Sequence, residues 1–119
     1  MQTTNQIQAV KIDTDGTVDR ITIDNGCRPL QELVGGWIEA IYSGDPTITL
    51  WGNDEAKLIG MEPNAVATAV WWLTTPEARG QDIICGPVVI TGGADDEGDT
   101  LSLPEEFLDV VHMAKAMAS

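Results

Sequence analysis

Histidine is almost missing from this chain of 119 residues: there is one, His112, beside two cysteines and six basic side chains. Each shortage closes off a class of chemistry. One histidine and two distant cysteines, Cys27 and Cys85, leave a zinc site short of ligands. His112 stands one step off the apolar stripe of a terminal helix, with no serine or cysteine nucleophile near it in sequence. It reads as a surface residue rather than a catalytic base. No apolar run approaches the roughly 20 residues that would span a bilayer. Met1 to Gln8 lack the basic start and apolar core of a secretory signal. The sequence therefore predicts a soluble protein held in the cytoplasm, with reduced thiols rather than a disulfide. Six bases face 19 acids, for a net charge of −13. Such a charge repels nucleic-acid phosphates and anionic membrane surfaces, and argues against direct binding to either.

What is present is enough apolar material, 43% of residues, to build one core, and residues 1–119 are expected to form a single domain. Alternating apolar residues on both sides of Asp13-Thr14-Asp15-Gly16 predict a β-hairpin over 6–24. The aspartates there suggest a calcium loop, but Gly16 comes too early and no glutamate closes it. Residues 29–51 carry a helix–Gly-Gly–strand core. Pro29 suits a first helical turn, and Leu30, Leu33 and Val34 make an apolar face. Gly35 ends the helix, and Gly36 swings the chain into a strand. That strand, Trp37 to Tyr42, is apolar on both sides and reads as central, with Trp37 and Ile38 anchoring the sheet. The next strand, Thr47 to Trp51, pairs with it antiparallel. A nearly all-apolar helix follows over 64–73 with Asn64 as its N-cap, then a late strand over 82–91 interrupted by Gly86-Pro87. An amphipathic helix over 103–117 closes the chain, with Ser102 and Glu105 as a capping box. These elements predict an α+β fold: a mainly antiparallel, curved sheet of about five strands with two or three helices packed on it.

Few residues stand out as candidates for function. Glu39 is a carboxylate on a largely hydrophobic face, either structurally paired or, in a functional reading, a general base or an acid that contacts a ligand. Trp37, Trp51, Trp71 and Trp72 exceed what so small a core requires. Core filling accounts for two of them; the alternative is that one or two line a subunit interface or stack on a planar ligand. Asn53 and Asn64 are the polar residues that would accompany them in a pocket. A second group is acidic: Asp95, Asp96, Glu97 and Asp99 in a glycine-flanked loop, then Glu105, Glu106 and Asp109. The loop reads as a solvated turn rather than a Mg²⁺ or Ca²⁺ site. Gly92-Gly93 lacks the Lys and Ser/Thr of a phosphate loop. No catalytic residue, metal or cofactor is assigned.

The stretch Leu30-Gln31-Glu32-Leu33-Val34-Gly35-Gly36-Trp37-Ile38-Glu39 resembles the signature of a small domain-of-unknown-function family found in phages, plasmids and mobile elements of Gram-positive bacteria, notably actinobacteria. The resemblance continues through Asn53-Asp54-Glu55-Ala56-Lys57-Leu58-Ile59-Gly60, Asn64 with Ala67, Asp82-Ile83-Ile84-Cys85-Gly86, and the loop from Thr91-Gly92 through Asp95 to Gly98. Asp54, Ala56 and Pro87 depart from the pattern. The resemblance implies a phage or mobile-element accessory protein and supplies no mechanism. With the charge, it leads to the expectation of a non-enzymatic protein that binds and blocks a host protein, in particular a nucleic-acid-binding one, through an acidic surface, densest from Asp95 to Asp109, that contacts the partner or imitates a polyanion. Solubility is the simpler account of that charge. The alternatives are a small-molecule binder, such as a sponge for a nucleotide signal with tryptophan and asparagine lining a pocket between subunits of a homo-oligomer, and a metal-dependent enzyme.

Overall fold

Two β-hairpins form from neighbouring segments, and the last strand of the chain inserts between them. The computed structural model describes residues 5–118. The first hairpin joins β1 (Gln6–Ile12) to β2 (Val18–Asp24), and the second joins β3 (Ile38–Ile41) to β4 (Ile48–Asn53). β5 (Val88–Gly92) pairs with β1 on one side and β4 on the other. The five strands run in the order β2-β1-β5-β4-β3, every pairing antiparallel. α+β is therefore the fold class.

Period-2 alternation splits the core into two layers. On one face Val10, Ile12, Ile48, Leu50, Val88 and Ile90 pack against α2 (Ala65–Thr74) and α3 (Phe107–Ala118). On the other, Ala9, Val89 and the half-buried Ile21, Ile23, Ile38 and Trp51 take the apolar side of α1 (Cys27–Val34), led by Leu30 and Val34. All five residues of β5 are buried, so β5 is the strand covered on both faces.

Three expectations are corrected by this topology. The Trp37–Tyr42 segment is not central: β3 is a four-residue edge strand. Trp37 lies just outside it, 70% exposed, so its side chain does not anchor the sheet. Its apolar run looked two-sided because Ile38 packs toward α1 and Ile41 toward α2, while the large residues at the two ends face solvent. The late strand is confined to Val88–Gly92, because the chain turns at Gly86-Pro87 and proline has no N–H for a ladder. The final helix begins at Phe107 rather than 103. Ser102 does not cap it. Its Oγ accepts from the Gln8 N–H at 2.9 Å, and the Leu103 N–H donates to the Gln8 carbonyl at 2.9 Å. β5 reaches only the Val10–Ile12 half of β1, so this segment supplies the partners that the other half lacks.

Asn64 fastens the layers together. It is wholly buried. Its Oδ1 accepts the Ala67 N–H at 3.0 Å, which caps α2, while Nδ2 donates to the carbonyls of Ile12 (3.0 Å) and Gly86 (2.9 Å). One side chain thus joins the end of β1, the approach to β5 and the start of α2. Asn64→Ala should cost about 3 kcal/mol or more, since it strands two buried carbonyls and one amide. Asn64→Asp keeps the cap but sets a carboxylate against those carbonyls. It should be no more stable than Asn64→Ala in chemical denaturation at neutral pH.

Candidate acidic cleft at the sheet edge

The helix–Gly-Gly–strand segment behaves at its pivot as its glycines require. Gly35 takes φ 82°, a left-handed conformation open to glycine at little cost, and its N–H caps α1 by donating to the Gln31 carbonyl. A Cβ on Gly36 would lie 3.0 Å from Asn53 Nδ2. That closeness lets the buried Asn53 amide donate to the Val34 carbonyl at 3.1 Å, while its Oδ1 accepts from the Glu55 N–H at 2.8 Å. The end of α1 is thereby fixed to the end of β4. The Asp54 N–H extends the β3–β4 ladder by donating to the Trp37 carbonyl at 2.8 Å.

Beside this junction, on the α2 side of β3 and β4, lies a cleft of about 350 Å³. Glu39, Ile41 and Tyr42 form its sheet side, Asp54 to Leu58 one wall, Asp82 to Cys85 the other, and Trp71 also lines it. The two walls are clasped by an ion pair between the Lys57 ammonium and the Asp82 carboxylate. The Lys57 hydrogen bond, helped by the Ile83 N–H, holds the Asp82 carboxyl below its ordinary value. With Lys57 committed to Asp82, Glu39 and Asp54 leave the lining with an excess of negative charge. Large apolar residues surround these acids: Tyr42 and Leu58 are 70% and 84% exposed, and Ile83 is partly so. Trp37 immediately precedes β3, and the exposed Ile59 follows Leu58.

The predicted site residues separate into distinct roles. Glu39 is exposed and lines the cleft. Asn53 and Asn64 are spent on architecture and offer almost no surface. Trp51 packs against the α1 layer and donates to Thr91 Oγ1 at 2.9 Å, while Trp71 packs against the α2 layer and donates to the Tyr42 carbonyl at 2.8 Å. Trp72 donates to the Asp82 carbonyl at 3.0 Å and lines a second, apolar cleft of about 550 Å³, together with Leu73, Arg79 and Met117. In the acidic loop, Asp95 turns its carboxylate inward to accept the N–H groups of Glu97 (2.8 Å) and Asp99 (2.9 Å). Glu105 pairs with Arg20 at 3.1 Å. Asp96, Glu97, Asp99, Glu106 and Asp109 are exposed. Among the described residues, no three His, Cys, Asp or Glu side chains gather closely enough to hold a metal ion, and both cysteines are free. No described helix is long and apolar enough to cross a membrane.

Tyr42, Lys57, Leu58, Asp82 and Ile83 were missed as cleft residues because they come from three separate segments that no local period connects. The one available signal was Leu58-Ile59, an apolar pair inside a polar loop.

The family profile described as "Domain of unknown function (DUF3846)" matches residues 7–116. No curated protein and no solved structure matches the chain.

Two outcomes follow for the cleft. Glu39→Gln should leave thermal stability unchanged within about 0.5 kcal/mol, because the side chain is exposed and supports no buried partner. Asp82→Asn should lower Tm by at most a few degrees, since the ion pair is half exposed. A carboxyl held below its ordinary value of 3.8 contributes stability above that pH and loses it as the folded group is protonated. The Tm gap between Asp82→Asn and the unaltered chain should therefore be full at neutral pH and close as pH falls below 3.8.

Proposed function

The chain belongs to the DUF3846 family of domains of unknown function, and from that premise we propose that it is a non-enzymatic binding protein whose acidic cleft at the β3 edge engages a basic host protein and blocks it. The observation that carries this reading is the coincidence of charge and apolar exposure. Of eight large hydrophobics exposed on the described surface, three line the cleft (Tyr42, Leu58, Ile83) and two adjoin those elements in sequence (Trp37, Ile59). Apolar patches rimmed by charge mark surfaces that partners cover. The stretches that carry the resemblance to phage and mobile-element proteins also meet there: Glu39 ends the first, residues between Asn53 and Leu58 line one wall and Asp82 to Cys85 the other. That resemblance supplies the setting, an accessory protein acting in the cytoplasm of a Gram-positive host, and a nucleic-acid-binding protein is the natural basic target. The exposed acids from Asp95 to Asp109 would then speed encounter by long-range attraction instead of forming the contact.

A second reading is favoured by the other cleft. Trp72 and Arg79 beside an apolar wall offer a stacking surface and a cation, which suits a nucleotide-like ligand. Native mass spectrometry of the purified chain would then show a small bound mass, released on heating and absent in Trp72→Ala.

For the leading reading, the immobilised chain should capture basic proteins from an actinobacterial lysate and release them as salt is raised. Glu39→Lys combined with Asp54→Lys should weaken capture of the recovered target by tenfold or more, about 1.4 kcal/mol. Neutralising Asp96, Glu97 and Asp99 should alter chiefly the association rate. Undiminished capture by the double variant would remove the cleft from the interface.

A further inference from the structure

Taking the β3 cleft as the contact surface, we infer that its partner is an extended, cationic segment of another protein, which adds to β3 as a sixth strand of the sheet. The backbone provides the first argument. The Asp54 N–H to Trp37 carbonyl bond makes residues 37 and 54 a hydrogen-bonded pair. Antiparallel alternation with the observed register then turns Glu39 and Ile41 toward β4. Ile38 and Ala40 consequently direct N–H and C=O groups away from the sheet, where no strand meets them. The outward Tyr42 carbonyl is already taken by the Trp71 indole, so the free edge is a short run centred on Ile38 and Ala40.

Native sheets usually blunt such an edge with lysine, proline or an inward charge. β3 has neither lysine nor proline: its sequence is Ile-Glu-Ala-Ile, whose one charge, Glu39, stands in the cleft, with Trp37 before it and Tyr42 after it. Added strands gain affinity from the main chain and specificity from alternate side chains. Those on the α2 side would pass beside Glu39 and Ile41 at the mouth of the cleft. Arginine or lysine fits there, with an aliphatic stem along Ile41 and Tyr42 and a charged head reaching Glu39 and Asp54. Those on the α1 side would lie by Ile38 and Ala40 and should be apolar.

Charge selects the occupant. A second copy of this chain would bring another net −13 to the edge and set its own Glu39 beside the first, which disfavours self-pairing. A segment alternating cationic and apolar residues meets both the acids and the edge.

The test uses the full chain, isotope-labelled, and a dye-labelled, end-blocked octapeptide of alternating arginine and valine. Saturable anisotropy binding is expected, with the largest amide shifts and slowed hydrogen exchange at Ile38 and Ala40. Methylating the peptide nitrogens that would face β3 should weaken binding at least about tenfold while leaving its charge intact. Ala40→Pro should do the same from the protein side, and the methylated peptide keeps the test decisive if that variant does not fold. Equal binding of the methylated peptide, still lost in the Glu39→Lys and Asp54→Lys variant, would overturn strand addition and leave the acidic cleft standing as a contact surface. No binding at millimolar peptide, or binding that ignores that variant, would overturn both. Concentration-dependent dimerisation that protects the Ile38 and Ala40 amides would overturn the inference in favour of a second copy.

Discussion

A buried amide with both of its donors committed holds three parts of this molecule in register. Asn64 reaches the end of β1, the turn that leads into β5 and the first turn of α2. Each link is an ordinary hydrogen bond, yet together they place the central strand relative to the hairpin it must pair with. Thr68 extends the arrangement. Its hydroxyl donates to the Asn64 carbonyl at 2.8 Å and accepts the Ile84 N–H at 3.0 Å. The position of the 82–86 segment, and so one wall of the acidic cleft, depends on this small polar network inside an apolar core. Networks of this kind are costly to leave half satisfied, and that cost favours a single arrangement over near alternatives.

Asn53 does comparable work at the opposite wall. Once its amide is spent on Val34 and Glu55, the loop from Asp54 to Met61 has a fixed origin. Lys57 can then reach Asp82, and the Met61 N–H returns to the Ala56 carbonyl. The cleft is therefore framed by interior bonds that present exposed acids and aliphatic side chains on a rigid support.

The sequence displayed its fold class clearly because local signals agreed with one another. The alternating apolar residues around Gly16, the glycine after Val34 and the asparagine before Ala65 each had a single sensible reading. Strand order was not legible. Apolar residues on both sides of a strand signify burial on both faces only if helices cover both, and at β3 the cover is partial. Ile38 and Ile41 are half-buried while Trp37 and Tyr42 are not. Glu39 was visible as an anomaly, a carboxylate among hydrophobics. Its neighbours in the cleft come from residues 54–58 and 82–85, whose convergence is set by Asn53 and Asn64 over long sequence separations. The capping pattern at Ser102 misled because a serine hydroxyl accepts from any nearby N–H, and the unpaired half of β1 was the one available.

Placing β5 between two hairpins also has a temporal consequence. Both hairpins are local and can close soon after they are synthesised, but neither can join the other until residues 88–92 arrive. The sheet is thus completed by its longest-range pairings, a topology associated with folding in milliseconds or slower rather than microseconds. Until then the edges of β1 and β4 that β5 will cover have no partner strand. A chain cut short before Val88 would lack the one strand that joins the two hairpins, and each hairpin alone would be only marginally stable.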